Sequence, residues 1–278
     1  MSIPANPRAV VTGAGSGLGR ALCAELAKRG ARIIASDIDL DAVKATVAGL
    51  GAAEAYALRC DVTKLDDVVA LADEAERRLG GVDLVINNAG VAVGGRIGEI
   101  PIESWQWIVG INFWGVVHGC HVFMPRLRRQ GSGHILNVAS TAGLIASAKL
   151  GPYNTTKSAV VALSETLYGE LVDDNIGVSV LCPTFFQTNI VNSARMHAEE
   201  QMADVVRQMM SAATIQAGEV ARIALDGAAR GDLYILPHRD GRILWRLKRW
   251  FPVGFYKLMP KLMALRTRRA AKAKVSAS

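Results

Sequence analysis

Residues 8–30 read RAVVTGAGSGLGRALCAELAKRG, and their pattern indicates the fold class. Residues 8–12 are mostly apolar and predict a short buried strand, whereas residues 21–29 have a helical periodicity that stops at Gly30. Four glycines occupy alternate positions from 13 to 19, between these two segments. A strand, a glycine-rich loop and a helix in this order predict the first unit of a parallel α/β sheet.

The same alternation continues along the chain to residue 236. Strands are predicted at residues 8–12, 31–36, 54–60, 83–87, 134–139, 176–181 and 233–236, and helices at 21–29, 39–49, 64–79, 102–129, 152–172 and 217–229. The pattern predicts a doubly wound, Rossmann-type α/β fold, with a seven-stranded parallel sheet flanked by helices on both faces. We expect residues 1–236 to form a single domain. Its long connection at about 184–213, helical near 194–211, is predicted to be a lid over a site.

The glycine-rich loop has the spacing T-G-x-x-x-G-x-G, from Thr12 through Gly13 and Gly17 to Gly19. Without side chains at these positions, the backbone can approach a pyrophosphate closely. The helix that follows presents free N–H groups and the positive end of its dipole to the same anion. The loop, with Ser16 and Leu18 inside it, is therefore predicted to bind a dinucleotide.

Asp37 ends the second predicted strand, eighteen residues after Gly19. A carboxylate at this place can accept hydrogen bonds from the adenosine ribose hydroxyls, and it would repel a 2′-phosphate. Because neither Ser16 nor Ile38 offers a compensating cation, NAD(H) is favoured over NADP(H). Capping of the next helix is the alternative role for Asp37, although Asp39 and Asp41 can serve there as well.

Tyr153 and Lys157 stand four residues apart in a predicted helix, thirteen and seventeen residues after Ser140. Residues at positions i and i+4 share one helix face, so the ammonium group is expected beside the phenol. An adjacent cation favours the ionised phenol and lowers its pKa, although desolvation opposes this effect. A phenol that titrates near neutrality is suited to general acid/base catalysis.

Together these motifs resemble a classical short-chain dehydrogenase/reductase over about residues 8–236. The resemblance implies that Ser140 holds the substrate oxygen, that Tyr153 is the general acid/base, and that Lys157 binds the nicotinamide ribose. It also implies a proton relay through a water held by Asn112. Further cofactor contacts are implied for Asp61, Val62, Asn88, Ala89, Gly90, Pro183 and Thr188.

The sequence departs from the family after the sixth strand, where the family usually has Pro-Gly and this chain has Pro183-Thr184. We expect this replacement to stiffen the loop at the nicotinamide and to reshape the pocket. Residues predicted to make an apolar pocket are Ala142, Leu144, Leu150, Phe185, Phe186 and Ile190. Core packing is the alternative for each of them.

These residues favour an NAD-dependent oxidoreductase that transfers hydride between nicotinamide and a hydrophobic or aromatic secondary alcohol or ketone. The alternatives are an NADP-dependent carbonyl reductase on the same scaffold and a dinucleotide-binding redox sensor without catalysis. The resemblance also implies a homodimer or homotetramer, formed through the long helices at about 102–129 and 152–172.

The four cysteines are far apart and form no CxxC pair, which favours a reduced, cytoplasmic protein without disulfides. No His, Asp or Glu cluster has the spacing of a metal site. No apolar run in the sequence reaches the roughly 18 residues that span a bilayer, so we expect no membrane-spanning helix.

The net charge of +7 is unevenly distributed. Residues 237–278, a basic and aromatic-rich extension, carry a formal charge of +11, whereas residues 1–236 carry −4. An acidic body excludes a nucleic-acid-binding surface of the usual kind. Aromatic rings among cations at residues 242–275 suit the headgroup layer of an anionic membrane, which makes peripheral membrane contact one interpretation. Packing of this apolar face on the body or on a partner subunit is the alternative.

Overall fold

Strand β1 (Arg8–Thr12) begins the fold as the sequence predicts, in a computed structural model of the chain that describes residues 3–51, 53–187, 190, 194–197, 210–211 and 213–258. The contacts divide the chain into two units, residues 1–238 and 239–278. The boundary lies two residues beyond the predicted end of the first domain.

Unit 1 is built on a parallel sheet of seven strands. The strands after β1 are β2 (Arg32–Asp37), β3 (Ala55–Arg59), β4 (Leu84–Asn87), β6 (Gly133–Val138), β7 (Ile176–Leu181) and β9 (Tyr234–Ile235), and the sheet has the order β3-β2-β1-β4-β6-β7-β9. The predicted Rossmann-type sheet is confirmed.

Helices connect the strands and cover both faces of the sheet. They are α1 (Gly17–Lys28), α2 (Leu40–Ala48), α3 (Leu65–Leu79), α4 (Ile102–Val109), α5 (Gly115–Gln130), α6 (Thr141–Leu144), α7 (Gly151–Glu170) and α8 (Ala217–Arg230). Alternate side chains of β1 explain the two layers. Val11 packs in the core cluster that includes α1 and α8, whereas Val10, also fully buried, points to the opposite face.

The predicted helix at 102–129 is one continuous helical segment with a local irregularity. Residues Gly110–Trp114 form a π-helical turn between α4 and α5. Asn112 lies in this turn and is fully buried. A π turn inserts one extra residue into a helix and redirects the side chains that it carries, so the irregularity of this helix coincides with a candidate site residue.

The two central strands of the sheet define where a ligand is expected. β1 pairs with β2 on one side and with β4 on the other, so the strand order reverses beside β1. In open α/β sheets, ligands bind in the crevice beyond the carboxyl ends of the strands at this reversal. The glycine-rich loop follows β1, and the segment Asn88–Gly90 follows β4.

A second, two-stranded sheet was not predicted. It pairs β5 (Val93–Gly95) with β8 (Arg195–His197) in parallel. The helical prediction for residues 194–211 is therefore wrong at 195–197. Three residues are too few for a period-2 pattern to be visible in the sequence, and here the pairing with β5 decides the conformation. Residues 198–209 of the predicted lid lie outside the described residues.

The segment Ile102–Gln130 is long and apolar enough to cross a membrane by length and composition alone, and half of its most apolar window is buried inside the protein. The prediction that no segment meets this criterion is wrong in this narrow sense. Asp and Glu occur only at Glu103, so few charges interrupt the segment. The core helix of a globular protein has the same properties, because both environments select apolar side chains.

Unit 2 contains helix α9 (Arg239–Trp250), followed by a further helical turn at 252–258. The remaining residues of the basic extension, 259–278, lie outside the described residues.

Candidate active site

The glycine-rich loop leaves no room for side chains at two of its positions. Gly13 has φ of +66°, and a Cβ there would lie 2.7 Å from the Cα of Ala89. A Cβ on Gly19 would overlap the carbonyl oxygen of Gly13. The spacing read from the sequence therefore reflects a close approach of three backbone segments, and it leaves the start of α1 open.

The chain itself holds the loop against the end of β4. The hydroxyl of Thr12 accepts hydrogen bonds from the N–H groups of Asn88 and Ala89, at 3.1 and 3.2 Å. In return, the side-chain amide of Asn88 donates to the carbonyls of Thr12 and Gly13, at 2.8 and 3.1 Å. These four bonds fix the two loops at the strand reversal relative to each other.

The N-terminus of α1 suits an anion. Ser16 is the N-cap residue, but its side chain makes no capping hydrogen bond, and no acidic residue lies in the first turn. Helix N-termini leave their first N–H groups without an intrahelical acceptor. Leu18 of this turn is buried in the core. The glycine cradle and this helix end fit the pyrophosphate of a dinucleotide.

Asp37 lies at the carboxyl end of β2, beside the loop. One of its carboxylate oxygens accepts the N–H of Gly15 at 2.9 Å, and the other accepts the N–H of Asp39 at 3.2 Å. Capping of α2 falls to Asp39, whose side chain accepts from Asp41 and Ala42. Asp37 therefore lies where a ribose-binding carboxylate is expected, and the helix-capping alternative for it is wrong.

Arg20 is a cation at this site that the sequence reasoning missed. Its guanidinium donates to the carbonyl of Gly15 at 2.6 Å and to the hydroxyl of Thr46 at 3.1 Å. The hydroxyl of Thr46 in turn donates to the carbonyl of Ala14 at 2.9 Å. The sequence signal for Arg20 was its position one residue after Gly19, on the exposed face of α1.

Asp61 and Val62 follow β3, as the motif predicts. The carboxylate of Asp61 accepts hydrogen bonds from the N–H and hydroxyl of Thr63, at 3.1 and 2.7 Å. The carbonyl of Val62 lies 2.9 Å from Nδ1 of His118. This contact gives His118 a structural role, because it orders the turn after β3.

Ser140 stands at the end of β6 and caps α6. Its hydroxyl oxygen accepts the N–H of Ala142 at 3.1 Å and lies 3.4 Å from the carbonyl of Pro183, to which it donates. A side-chain hydrogen bond also joins Ser140 to Tyr153, and it lowers the pKa of that phenol. The structure therefore brings the two predicted hydroxyl groups together.

Lys157 lies one turn after Tyr153 on α7 and is almost completely buried. Its amine donates to the carbonyl of Val138 at 2.9 Å and lies 5.9 Å from the centre of the Tyr153 ring. Burial lowers the pKa of Lys157 to about 8. The shared helix face is confirmed, but the amine points past the ring to the end of β6.

The predicted lowering of the Tyr153 pKa is wrong for the chain by itself. Desolvation raises the pKa of this phenol above its usual value, and it outweighs the opposing effect of the hydrogen bond with Ser140. The attraction to an ammonium group was overestimated, because the chain buries both groups and aims the amine of Lys157 at Val138.

Asn112 acts on the backbone around Gly90. Its side-chain oxygen accepts the N–H of Val91 at 2.8 Å, and its amide nitrogen donates to the carbonyl of Val91 at 2.9 Å. The same nitrogen lies 3.3 Å from the hydroxyl of Thr156, in the turn between Tyr153 and Lys157. Asn112 thus connects the loop after β4 to the helix that carries Tyr153 and Lys157.

Gly90 lies directly against the side chains of Asn112 and Lys157. A Cβ there would meet the amide oxygen of Asn112 at 3.3 Å and the amine of Lys157 at 3.4 Å. Because Gly90 has no side chain, the amine of Lys157 can lie close to the loop. Steric crowding therefore explains the glycine of the Asn-Asn-Ala-Gly motif.

A cluster of apolar residues on α4 and β5 was missed as a wall of the site. Tyr153 packs against the cluster of Val93, Ile100 and Ile108, together with Val91, Trp105 and Trp107. The signal in the sequence was a pair of tryptophans two residues apart, shortly after the Asn-Asn-Ala-Gly motif.

The predicted pocket residues fall into a buried group, Leu144 and Phe186, and a group that is exposed or partly exposed, Ala142, Leu150, Phe185 and Ile190. Phe186 is buried in the main core cluster and stacks on His238 at 6.2 Å between ring centres, so its assignment to the pocket is wrong and core packing explains it. Phe185, the neighbouring ring, is 44 % exposed. Leu144 is buried, and Ala142, Leu150 and Ile190 are partly exposed.

The loop after β7 is held by its neighbours. The carbonyl of Pro183 accepts the N–H of Thr141 at 2.9 Å, and the N–H of Thr184 donates to Nδ1 of His238 at 3.3 Å. Thr184 occupies the position where the family usually has glycine. Thr188, one of the predicted cofactor contacts, lies outside the described residues.

The arrangement of loop, Ser140, Tyr153 and Lys157 agrees with the comparison to known families, in which residues 7–199 match the short chain dehydrogenase family. The chain belongs to this family. The resemblance seen in its motifs is confirmed.

Two relatives and one solved structure illustrate the membership. The probable oxidoreductase EphD of Mycobacterium tuberculosis is 39 % identical over 191 residues, which are 68 % of this chain and 32 % of EphD. The chain thus matches only about a third of the length of that relative. The 1-deoxy-11-beta-hydroxypentalenate dehydrogenase of Streptomyces exfoliatus is 33 % identical over 86 % of this chain and 85 % of that enzyme.

The solved structure is a short chain dehydrogenase/reductase of Burkholderia phymatum in complex with NAD. It is 35 % identical, it superimposes with a TM-score of 0.84, and the match covers 90 % of this chain and 94 % of that one. That short-chain dehydrogenase holds NAD in the same fold, which supports nicotinamide dinucleotide binding by this family member.

Among the described residues of this short-chain dehydrogenase, no group of His, Cys, Asp and Glu could hold a metal ion. All four cysteines are free and buried, and burial raises the pKa of each thiol to about 12. Cys182 lies near Tyr153 and Lys157, since it interacts electrostatically with Lys157 and accepts a backbone hydrogen bond from Ser140.

Proposed function

We propose that this protein is an NAD(H)-dependent dehydrogenase that interconverts hydrophobic or aromatic secondary alcohols and their ketones. The observation that carries the proposal is the placement of three groups: the side chain of Ser140 interacts with the phenol of Tyr153, and Lys157 lies one helical turn further along α7. Two hydroxyls aimed at one point can hold and protonate a substrate oxygen, which is what interconversion of alcohol and ketone requires.

In the reduction direction, the phenol of Tyr153 donates its proton to the substrate oxygen as negative charge develops there, and the hydroxyl of Ser140 stabilises that charge. In the oxidation direction, the ionised phenol removes the proton from the alcohol. The nicotinamide supplies or accepts the hydride when it is bound. Once Tyr153 has donated its proton, the positive charge of the Lys157 ammonium partly offsets the negative charge of the phenolate.

Asn112 is proposed to position these groups. By bonding both backbone groups of Val91 and approaching Thr156, its side chain sets the distance between the loop after β4 and α7. The proton relay through a water held by Asn112 remains part of the proposal. In this relay, protons from solvent would reach Lys157 from the side of the π turn.

The preference for NAD(H) rests on the carboxylate of Asp37, held beside the loop by Gly15. A 2′-phosphate would meet this negative charge. Arg20 lies nearby, but its guanidinium is engaged by Gly15 and Thr46. The NADP-dependent reductase is therefore the second candidate, and Arg20 is the residue that favours it.

A hydrophobic substrate is supported by the apolar surroundings of Tyr153, in which Trp105 and Trp107 supply large rings. The name of the Streptomyces relative describes oxidation of a hydroxylated compound, in line with an alcohol substrate. We place the enzyme in the cytoplasm, because its buried thiols suit a reducing compartment.

The test is to screen oxidation of matched hydrophobic and polar secondary alcohols with NAD and with NADP. We expect hydrophobic alcohols to react faster with NAD. Faster turnover of polar polyols would overturn the substrate class. Failure of every alcohol and ketone, with NADH still bound, would favour the redox sensor.

A pair of variants tests the cofactor preference. Asp37→Asn keeps an acceptor for Gly15 and removes the charge, so the ratio of NADP to NAD activity should rise about tenfold. Asp41→Asn is the matched control, since Asp41 is an exposed acid on α2. An unchanged ratio in Asp37→Asn would contradict the role of this carboxylate.

A further inference from the structure

Helix α9 of unit 2 and the residue that follows it, Phe251, expose a continuous stripe of large apolar side chains. Ile243 and Leu247 are each 47 % exposed, and Trp250 and Phe251 are 79 % and 66 % exposed. Their spacing of four, three and one residues places them on one face of a helix. We call these four residues the apolar stripe.

Cations accompany the apolar stripe along the helix. Within α9, Arg239, Arg242, Arg246, Lys248 and Arg249 stand against a single acid, Asp240. Two of them contact aromatic rings: Arg249 lies over Trp245 at 5.4 Å, and Lys248 lies over Tyr256 at 5.9 Å. The apolar side chains and the positive charge are thus presented by the same short segment.

This pattern differs from that of the core helices in unit 1, whose large apolar residues are mostly buried. Helix α3, for example, buries Val68, Leu71 and Leu79 and exposes its acids and arginines in salt bridges. A helix that leaves its apolar face exposed and its cations in excess has the composition of an interfacial helix.

We propose that α9 docks this protein on the surface of an anionic lipid bilayer. The helix lies in the plane of the interface, with the apolar stripe in the acyl boundary and its arginines at the lipid phosphates. The inference does not depend on the proposed reaction.

Charge complementarity favours an anionic bilayer over a second copy of the same segment. The extension from residue 237 carries +11, so two copies of it would repel each other. A nucleic acid would satisfy the cations, but it offers no apolar medium for Ile243 and Leu247, which it would leave in water. A bilayer satisfies both features at once.

The experiment is flotation of the full-length protein with vesicles of phosphatidylcholine alone or mixed with phosphatidylglycerol. The variant Leu247→Ser/Trp250→Ser removes half of the stripe and keeps every cation. Val172→Ser is the matched control, because Val172 is an apolar residue of unit 1 with 61 % exposure. Circular dichroism and thermal unfolding check that each protein is folded.

We expect wild-type protein and Val172→Ser to float with the mixed vesicles and not with phosphatidylcholine alone. The double variant should lose at least about tenfold in partitioning, because two large side chains no longer leave water. Raised salt should weaken binding of the wild type, since lipid charges contribute.

Two results would overturn the proposal. One is an absence of flotation of wild-type protein with the anionic vesicles. The other is equal flotation of wild type and double variant, which would mean that the stripe does not enter the bilayer. Binding of both proteins to a duplex oligonucleotide with equal affinity, combined with either result, would identify the cations as a nucleic-acid site instead.

Discussion

The two ends of the candidate active site are built in different ways. At the adenosine end, the glycine loop, Asn88 and Asp37 are joined by hydrogen bonds of the chain to itself, and the loop geometry is complete. At the catalytic end, Tyr153 and Lys157 are held in place by α7, but burial disfavours the charged form of both. The chain by itself therefore completes the geometry of the adenosine end. At the catalytic end, it holds two groups whose charged forms are disfavoured by burial.

Position and reactivity are therefore separate properties in this molecule. The fold can hold a phenol, a hydroxyl and an amine close together without making the phenol acidic. A bound dinucleotide would bring its own charge and hydroxyl groups to the catalytic end, and we expect the pKa of Tyr153 to respond to it. The adenosine end needs no such change in order to bind.

The largest effect is expected from Tyr153→Phe. The substitution removes the proton donor and keeps the ring in its apolar cluster, so kcat should fall by about 10²–10⁴-fold. Binding of NADH, measured by fluorescence titration, should remain close to that of wild type, because the adenosine end is intact. Loss of binding and activity together would show that the two ends are not separable.

Lys157→Met should stabilise the folded protein at neutral pH. The pKa of Lys157 is lowered from 10.5 to about 8, so between these two values the unfolded chain holds a proton that the folded protein has released. The free energy of unfolding of wild type therefore rises with pH through this window, and the full deficit, about 3 kcal/mol, is present below pH 8.

Urea unfolding from pH 7 to pH 10.5 measures this difference. The advantage of Lys157→Met should be about 2 kcal/mol at pH 7, because the carbonyl of Val138 loses its donor, and it should shrink as pH rises. Lys44→Met, at a surface lysine paired with Asp41, serves as the control. An advantage that is constant with pH would show that burial of the charge is not its cause.

Gly19→Ala tests the closeness of packing at the adenosine end. A methyl group there would overlap the carbonyl of Gly13, so the loop must shift, at a cost of about 1–3 kcal/mol. We expect weaker NADH binding by titration calorimetry and a lower midpoint of thermal unfolding. The control is Gly169→Ala in α7, where a Cβ meets nothing within 4 Å. Equal effects of both substitutions would contradict the account.

The smallest effect is expected from His238→Ala, which removes the acceptor for Thr184 and the ring that stacks on Phe186. The loop after β7 should become less ordered, raising KM for the alcohol by about two- to tenfold with little change in kcat. His238→Asn keeps a side-chain acceptor, so its KM should lie between the values of His238→Ala and wild type. An effect on kcat alone would assign His238 to the chemistry.

Much of unit 1 could be predicted from the sequence because buried parallel strands and their helices have strong local patterns. Val10 and Val11 lie on opposite faces of β1 and are both apolar, and Gly13 and Gly19 occupy positions where only glycine fits. The π turn around Asn112 and the strand at 195–197 were missed, since each depends on contacts with distant segments rather than on a local repeat.

The electrostatics of the site could not be predicted for the same reason. The spacing of Tyr153 and Lys157 gives their common face, but the direction of the amine depends on the carbonyl of Val138, nineteen residues away. The assignment of Phe186 to the core likewise depends on His238, which follows β9. Sequence spacing predicted which groups meet, and burial decided their pKa values.

The most direct test is an ultraviolet titration of the tyrosinate signal of Tyr153, obtained as the difference between wild type and Tyr153→Phe, with and without NAD. We predict a midpoint above the ordinary value of 10 for the protein alone, and a lower midpoint with NAD. A midpoint below pH 10 without dinucleotide, or one that NAD leaves unchanged, would contradict the account.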